Sequence, residues 1–194
     1  MIKFDATKLA AVAIAQSNEE TRYYLKGVYF EGDIAVATDG NILTASQDTE
    51  SVNDAPGIYP ISKKAHAAMK KRGALCVVIQ DDVLTVLDDQ ERTTHMEPCK
   101  PIDGTFPNWK QVIPKEIGVP NESAFSAIVM GKLISTAVTL SGNKAATFRI
   151  TGTTGNAQNV SYAQNDTISV AMPYRNDIVP NLPVWALAEV SKAA

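Results

Sequence analysis

Positively charged side chains are concentrated in one short segment of the sequence. Lys63, Lys64, Lys70, Lys71 and Arg72 supply five of the 18 lysines and arginines, although the formal net charge is -3. Ammonium and guanidinium groups at this density bind phosphate oxygens, and a local patch governs the field that a polyanion meets. A solvent-exposed helix surface shows the same pattern. The segment is therefore a candidate nucleic-acid surface, with an ordinary surface helix as the alternative.

Side chains suited to catalysis or metal binding are few. His66 and His95 are the only histidines, and neither has an obvious nucleophile beside it. Cys76 and Cys99 form no CxxC pair and no zinc-type Cys/His spacing. The segment 131–133 lacks the further residues of a phosphate-binding loop, and no GxSxG motif occurs. The sequence predicts a protein that is not an enzyme and that needs no cofactor or metal.

The composition is that of a folded domain in water. The 194 residues are 45% hydrophobic and 20% charged, which suits one large domain or two small ones. Residues 1–6 lack the apolar stretch of a signal peptide, and no run approaches the ~18 apolar residues that span a bilayer. We therefore expect a cytoplasmic protein with no membrane partner.

One helix followed by about three strands recurs three times along the chain. The predicted helices begin at Asp5, Ser62 and Ser123 and end near Ser17, at Arg72 and near Leu140. The predicted strands cover residues 22–31, 34–38, 42–46, 57–61, 74–80, 83–88, 92–97, 145–151, 157–163 and 166–172. Such units predict an α+β fold of antiparallel sheets with helices on one face.

Polar or proline-rich connectors separate these rounds. Residues 47–55 are polar and rich in turn residues, and residues 98–120 contain five prolines. The tail, residues 176–194, contains Pro180 and Pro183 and then a short amphipathic stretch, Val184 to Val190. The sequence assigns the tail no definite role.

Several segments resemble a known family in both order and spacing. They read RYYLKG at 22–27, ATDG at 37–40, GIYPI at 57–61 and FPNWKQVIPK at 106–115. This arrangement resembles the middle domain of the bacterial DNA polymerase III beta subunit, the sliding clamp. The segment ISVAMPYR at 168–175 resembles the end of that family's last domain. The resemblance implies a shortened clamp, with a clamp domain at 1–115 and a reduced domain at 116–194.

The resemblance also implies a DNA-binding surface. In this family helices line the hole of a ring and hold duplex DNA without reading its sequence. The basic segment 63–72 matches one such helix, and Tyr23 and Tyr24 occupy positions that touch nucleic acid in the family. Acidic Glu19 and Glu20 precede the tyrosines, which is unfavourable beside phosphates. The other two predicted helices are poor in charge.

A second site implied by the resemblance is a pocket for short apolar peptides of polymerases and clamp loaders. The matching positions are Leu25, Thr38, Gly40, Asn41, Ile42, Leu43, Pro107, Gln111, Val112, Val170, Met172, Pro173 and Tyr174. Flexible methionine and aliphatic side chains suit such a groove. Asn41, Ile42 and Gln111 stand where the family usually has basic residues, and some aliphatic members would equally serve as core.

Two functions remain open at this stage. One is a nucleoid-associated processivity factor, a closed ring of three or four copies that encircles duplex DNA. The other is a monomeric clamp-like module that binds or competes for clamp partners. An α+β domain of unrelated function is a third possibility. Strand edges discriminate, because a ring needs edges that are free to pair, whereas a monomer blunts them.

Overall fold

The computed structural model describes residues 1–114, 123–153, 155–163 and 166–174. Its three helices in this part of the chain are α1 (Ala6–Ala13), α2 (Lys63–Met69) and α3 (Ala127–Ser141). Its strands are β1 (Ile2–Asp5), β2 (Val28–Glu31), β3 (Ile34–Thr38), β4 (Ile42–Gln47), β5 (Val52–Asn53), β6 (Gly57–Tyr59), β7 (Ala74–Gln80), β8 (Val83–Asp88), β9 (Thr93–Pro98), β10 (Phe148–Thr151), β11 (Gln158–Tyr162) and β12 (Thr167–Ala171).

Polar side chains at the N-termini fix where the helices begin. Asp5 and Ser62 accept hydrogen bonds from first-turn amides of α1 and α2, which confirms the predicted starts. The predicted start of the third helix at Ser123 is wrong. Ser126 is the cap, because its hydroxyl accepts the N–H of Val129 at 3.3 Å.

The predicted recurrence is present as three units, each a helix and the three-stranded meander that completes it. We call these the first unit (α1 with β2–β4), the second unit (α2 with β7–β9) and the third unit (α3 with β10–β12). The sequence missed β1, in which buried Ile2 and Phe4 alternate with exposed Lys3. It also missed the two-residue β5 inside the predicted connector. The α+β architecture of antiparallel sheets and helices expected from the sequence is confirmed.

The strands form two antiparallel sheets. The five-stranded sheet has the order β5-β1-β7-β8-β9, and the seven-stranded sheet has the order β10-β11-β12-β4-β3-β2-β6. The third unit joins the first through the pairing of β12 with β4, in which Val170 lies opposite Leu43 and Ala171 opposite Ile42. This pairing brings residues more than 120 positions apart in sequence into contact. The two proposed domains, 1–115 and 116–194, therefore both contribute strands to the seven-stranded sheet.

Helix α1 lies at the centre of the main hydrophobic core. It packs against both α2 and α3 and contacts strands of both sheets. Its small side chains permit this close approach, since Ala10, Ala11 and Val12 are fully buried and Leu9 fills the space between the sheets.

A second hydrophobic cluster occupies the opposite face of the seven-stranded sheet. Because side chains alternate along a strand, Leu43 and Val170 point to this face while Ile42 and Ala171 point to the main core. The segment that follows β9 covers the cluster with Phe106 and Trp109. The ring of Phe106 stacks on Tyr29 with centroids 5.0 Å apart.

Two predicted boundaries are wrong in the regions expected to bind DNA. The RYYL segment is not a strand, because Tyr23–Leu25 form a 3₁₀ turn closed by the bond from the N–H of Leu25 to the carbonyl of Arg22, at 2.9 Å. Strand β2 begins only at Val28. Helix α2 ends at Met69 instead of Arg72, because the chain turns at Gly73, whose φ of +89° suits glycine. The tail 176–194 lies outside the described residues.

Candidate functional site

A cleft of about 190 Å³ opens between the first and third units. Most of the residues predicted for a peptide pocket line it. They are Thr38, Gly40, Asn41, Ile42, Leu43, Pro107, Val112, Val170 and Met172, joined by Asn108 and Trp109, which the sequence reasoning missed. Aliphatic and aromatic side chains predominate in this lining.

Two further clefts adjoin the first, and Met172 lines all three. One, of about 370 Å³, holds the predicted Pro173 and Tyr174 beside the start of α3. The other, of about 550 Å³, holds the predicted Gln111 together with Ala157 near the β10–β11 loop. We call the three clefts together the Met172 groove. Its length suits an extended segment more than a compact small molecule.

Leu25 is the predicted pocket residue that lines none of these clefts. It is buried in the second hydrophobic cluster with Leu43, Val170 and Trp109. Its role is to support the floor of the groove, in agreement with the core alternative recognised from the sequence.

Hydrogen bonds hold the turn that forms one wall of the groove. The Asp39 carboxylate accepts the N–H groups of Asn41 and Ile42, at 2.8 and 3.0 Å. The N–H of Met172 donates to the carbonyl of Asn41 at 2.9 Å, which ties the two walls together. Gly40 has a φ of +92°, a conformation that L side chains rarely adopt. The wall is therefore fixed before any partner binds.

Trp109 forms the opposite wall and is itself held in place. Its indole Nε1–H points at a Glu31 carboxylate oxygen 3.4 Å away, and Lys110 forms an ion pair with the same carboxylate at 3.1 Å. The Lys110 ammonium also lies 5.5 Å from the centre of the Trp109 ring. An aromatic residue between the two prolines of the 106–115 match was the sequence signal for this wall.

A cation lies at the rim of the groove despite the neutral Asn41 and Gln111. The guanidinium of Arg22 lies against Gly40, since a Cβ placed on Gly40 would be 2.6 Å from its Nη1. Arg22 also forms an ion pair with Glu19 at 3.3 Å. The cation at the rim is therefore Arg22, which directly precedes the 3₁₀ turn, and not a residue at position 41, 42 or 111, where the family usually has basic residues.

Strands β4 and β12, which adjoin Asn41 and Met172 of the groove, are held together by a polar seam. Buried hydroxyl groups pair across it, Thr44 with Ser169 at 2.8 Å and Ser46 with Thr167 at 2.7 Å. At its end the ammonium of Lys8 lies 2.6 Å from the carboxylate of Asp166. Burial favours the neutral form of Lys8, but the hydrogen bond and charge of Asp166 outweigh it and raise the pKa of Lys8.

The basic residues predicted to bind DNA form one exposed stripe. Lys63 and Lys70 are seven positions apart, so they lie on the same side of α2 and its C-cap residue, while Lys71 follows in the turn after the helix. These three lysines and Lys64 are exposed, as is Arg72. None of the five forms a salt bridge within the described ranges. We call these five residues the basic stripe.

A cleft of about 260 Å³ next to the basic stripe collects further nitrogen groups. Lys63 shares it with Lys26, Lys132 and His66. The Nε2–H of His66 donates to the carbonyl of Ala10 at 3.0 Å. Burial lowers the pKa of His66, with a smaller lowering from the charge of Lys70 on the same helix, although the bond to Ala10 acts in the opposite sense.

Tyr23 and Tyr24 do not line this cleft. Their rings meet edge to face with centroids 5.7 Å apart, and Tyr23 is 53% exposed while Tyr24 packs against the second cluster. Tyr23 is thus the member of the pair available to a ligand. The neighbouring acidic Glu20 forms an ion pair with Lys26 at 2.6 Å, and this offsets the repulsion expected beside phosphates.

Solved structures of bacterial sliding clamps match this architecture. The clamp of Pseudomonas aeruginosa aligns with a TM-score of 0.62 at 16% identity, covering 90% of this chain and 65% of that one. The DNA polymerase III beta subunit of Borrelia burgdorferi gives 0.62 at 16% identity, covering 91% and 63%. The Bacillus subtilis clamp gives 0.58 at 14% identity, covering 90% and 64%. This chain has the sliding-clamp fold.

The clamp fold is present in a shortened form. The chain spans 63% to 65% of the length of these clamps. No protein-family model and no curated protein matches the sequence. At these identities the similarity establishes the fold alone. The geometry of the Met172 groove and of the basic stripe is the evidence that bears on function.

Other chemistries find little support in the described ranges. No cluster of His, Cys, Asp or Glu side chains there could hold a metal ion. His95 and Ser62 both donate to the Glu97 carboxylate, at 2.9 and 2.8 Å, so the histidine does not activate the hydroxyl. No helix in that part of the chain is long and apolar enough to cross a bilayer.

Proposed function

We propose that the protein is a DNA sliding clamp, a ring around duplex DNA that tethers a DNA polymerase through the Met172 groove. The observation that carries the proposal is the clamp fold over 90% of the chain. The basic stripe supplies cations that have no salt-bridge partner among the described residues, and they suit phosphate contacts that do not depend on base sequence. The role is one of binding and tethering, without catalysis.

The Met172 groove fits the partner side of this function. Its apolar lining and three connected clefts suit a short extended peptide with Leu or Phe side chains, from a polymerase or a clamp loader. The site is preformed, so little ordering of the protein is needed when the peptide binds.

The strand edges support assembly into a ring. One end of each sheet is protected, since β5 has two residues and β6 is covered by a bridge between Ile58 and Ile102. At the other ends β9 and β10 each pair with one strand only in the described part of the chain. An open edge on each sheet suits head-to-tail addition of β9 of one copy to β10 of the next, which closes when the rotation permits.

The number of copies follows from the number of units. Clamp rings contain six domains, each of two such units, and three units in each chain would give a ring of four copies. If residues 116–194 instead acted as a complete second domain, three copies would supply six domains. The three units of the fold favour four copies.

The monomeric alternative is less well supported by the same edges. A clamp-like module that only competes for partners should blunt its edges with charge, proline or a covering segment. Strand β9 has a proline only at its last position, Pro98, and it exposes the apolar Met96, which is 61% accessible. The Glu97 carboxylate on this strand accepts hydrogen bonds from His95 and Ser62 of the same chain.

Retention on circular DNA tests the proposal. The protein is incubated with nicked circular plasmid, with and without clamp loader, and passed through a sizing column in high salt. We expect it to elute with the circle and to be lost when the plasmid is cut once, because linear DNA lets a ring slide off. Equal retention on circular and linear DNA would contradict the proposal.

A further inference from the structure

The exposed side of α3 is apolar and uncharged. Ile128 is 74% exposed and Ile134 is 51% exposed. Between them lies Gly131, above which there is open space. The only charged residue of the helix, Lys132, turns away to the carboxylate of Asp39, 2.7 Å distant. We call the surface formed by Ala127, Ile128, Gly131, Ile134 and Ser135 the α3 face.

This composition is unsuited both to free solvent and to DNA. The opposite side of α3 is already packed into the main core through Val129, Leu133 and Ala137. A helix that is apolar on all sides is normally buried. A DNA-lining helix would carry lysine or arginine here, as the basic stripe on α2 does.

The described chain ends beside this helix. The N–H of Tyr174 donates to the carbonyl of Ala124 at 2.8 Å, three residues before α3 begins. Twenty residues, 175–194, follow. Ile134 lies seven residues after Ala127, about 10.5 Å along the helix, and the three non-helical steps from Ala124 to Ala127 add at most about 10 Å. Residues 175–184 span up to about 33 Å when extended, so the segment after Pro183 can reach the whole α3 face.

The sequence of this segment matches the surface. Residues 184–190 read VWALAEV, with large apolar side chains at Val184, Trp185, Leu187 and Val190. The four charged side chains of residues 175–194 balance, with Arg175 and Lys192 against Asp177 and Glu189. An apolar segment with no net charge suits a surface that offers no charge to pair with.

We propose that the C-terminal segment 184–190 docks on the α3 face of its own chain. Trp185 and Leu187 then cover Ile128 and Ile134. The exposed isoleucine side chains of α3 are thereby removed from solvent. The docking depends on neither ring formation nor the Met172 groove. It assigns the tail a structural role that the clamp function does not require.

Site-specific cross-linking of the full chain tests the docking. The photoreactive residue p-benzoylphenylalanine replaces Ile134, and after irradiation the products are separated by size and mapped by mass spectrometry. We expect a cross-link within one chain, from position 134 to a peptide of residues 176–194. The matched control places the same residue at Leu75, which is 50% exposed on β7.

Three outcomes would overturn the proposal. A cross-link from position 134 to the tail of a second chain would make the tail a bridge between copies. A cross-link to α3 of a second chain would make the α3 face an interface between copies. A yield of cross-links to residues 176–194 that is no higher from position 134 than from position 75 would show that the tail does not cover the α3 face.

Quenching of tryptophan fluorescence provides an independent measurement. The chain has two tryptophans, and Trp109 is buried beneath the Met172 groove. In Ile128→Lys the tail should detach, so acrylamide should quench Trp185 several-fold more strongly, with Trp185→Phe defining the contribution of Trp109. The same quenching in Ile128→Lys and in Leu75→Lys would contradict the docking.

Discussion

Met172 is the central residue of the groove that we propose binds partner peptides. It lines all three clefts, and its backbone N–H donates a hydrogen bond to the carbonyl of Asn41. A flexible thioether adapts to differently shaped apolar side chains, so it suits a groove that serves more than one partner.

Replacing Met172 with alanine should weaken peptide binding with little loss of stability. Removing its methylenes and sulfur costs about 1.5 kcal/mol of apolar contact, or about tenfold in Kd. Fluorescence anisotropy with a labelled peptide ending in Leu-Phe measures this. Met96→Ala is the matched control, because Met96 is exposed on β9 away from the groove. Equal affinity in the two variants would remove Met172 from the site.

His66 should make the stability of the protein depend on pH. Burial lowers its pKa in the native state, so the unfolded chain takes up the proton first as the pH falls below about 6.5. The free energy of unfolding is therefore retained above that pH and decreases as the pH falls toward the native pKa.

Urea unfolding at pH 7.5 and 5.5 measures this contribution. The native chain should lose more stability over that interval than His66→Gln, whose amide can still donate to the carbonyl of Ala10. Identical losses in the two proteins would show that His66 titrates normally.

At the scale of single residues, the sequence was informative where chemistry and resemblance agreed. Most predicted pocket positions come together around Met172. Leu25 could not be separated from the core by pattern alone, since an apolar side chain suits both places. Trp109 was missed because the resemblance transferred only Pro107, Gln111 and Val112 from its segment.

At the scale of elements, α2 is the helix through which we propose that the protein contacts DNA. Lys63 and Lys64 of the basic stripe lie in its first turn and the other three residues directly follow its last turn, while Ala65, Ala68 and Met69 fix the other side in the core. The stripe is thus held rigidly, and its charge reaches solvent without an internal partner in the described part of the chain.

Removing charge from the basic stripe should lower the affinity for DNA and also make that affinity less dependent on salt concentration. In Lys64→Ala with Lys71→Ala, the slope of log K against log salt should fall by about two if each lysine contacts a phosphate. Lys110→Ala is a control on the groove side, where the ammonium already pairs with Glu31. Unchanged slopes in the double variant would exclude the stripe from the DNA contact.

The open edges of β9 and β10 are the elements on which the proposed ring depends. Met96→Lys places a charge on the open edge β9, where it should oppose strand addition by another copy. The midpoint concentration of assembly should rise about tenfold or more, whereas Leu75→Lys, on an interior strand, should leave it unchanged. Sedimentation velocity distinguishes these results, and equal midpoints would exclude β9 from the interface.

Elements were predictable from sequence where periodicity and capping agreed. Strands β7 and β8 have the predicted bounds, because each is a run of mainly aliphatic residues between tight turns, and burial also alternates along β8. The 3₁₀ turn at Tyr23–Leu25 was mistaken for strand because aromatic and apolar residues have high strand propensity. Local backbone bonds and the packing of Gly27 against Ile58 and Tyr59 override that propensity.

At the scale of the whole molecule, the fold combines three clamp units in one chain. The polar seam between β4 and β12 joins the third unit to the first, and both the Met172 groove and the α3 face depend on this junction. Sequence alone predicted the units but not their order in the sheets, because the pairing joins segments that are far apart in the chain.

The mass of the protein in solution is the most direct test of the proposed ring. Light scattering across a concentration series should give one discrete species of about four times 20.8 kDa that does not grow further as concentration rises. Four copies would provide twelve units in a closed ring. The mass of a single chain at every concentration would contradict the clamp function, whatever the groove binds.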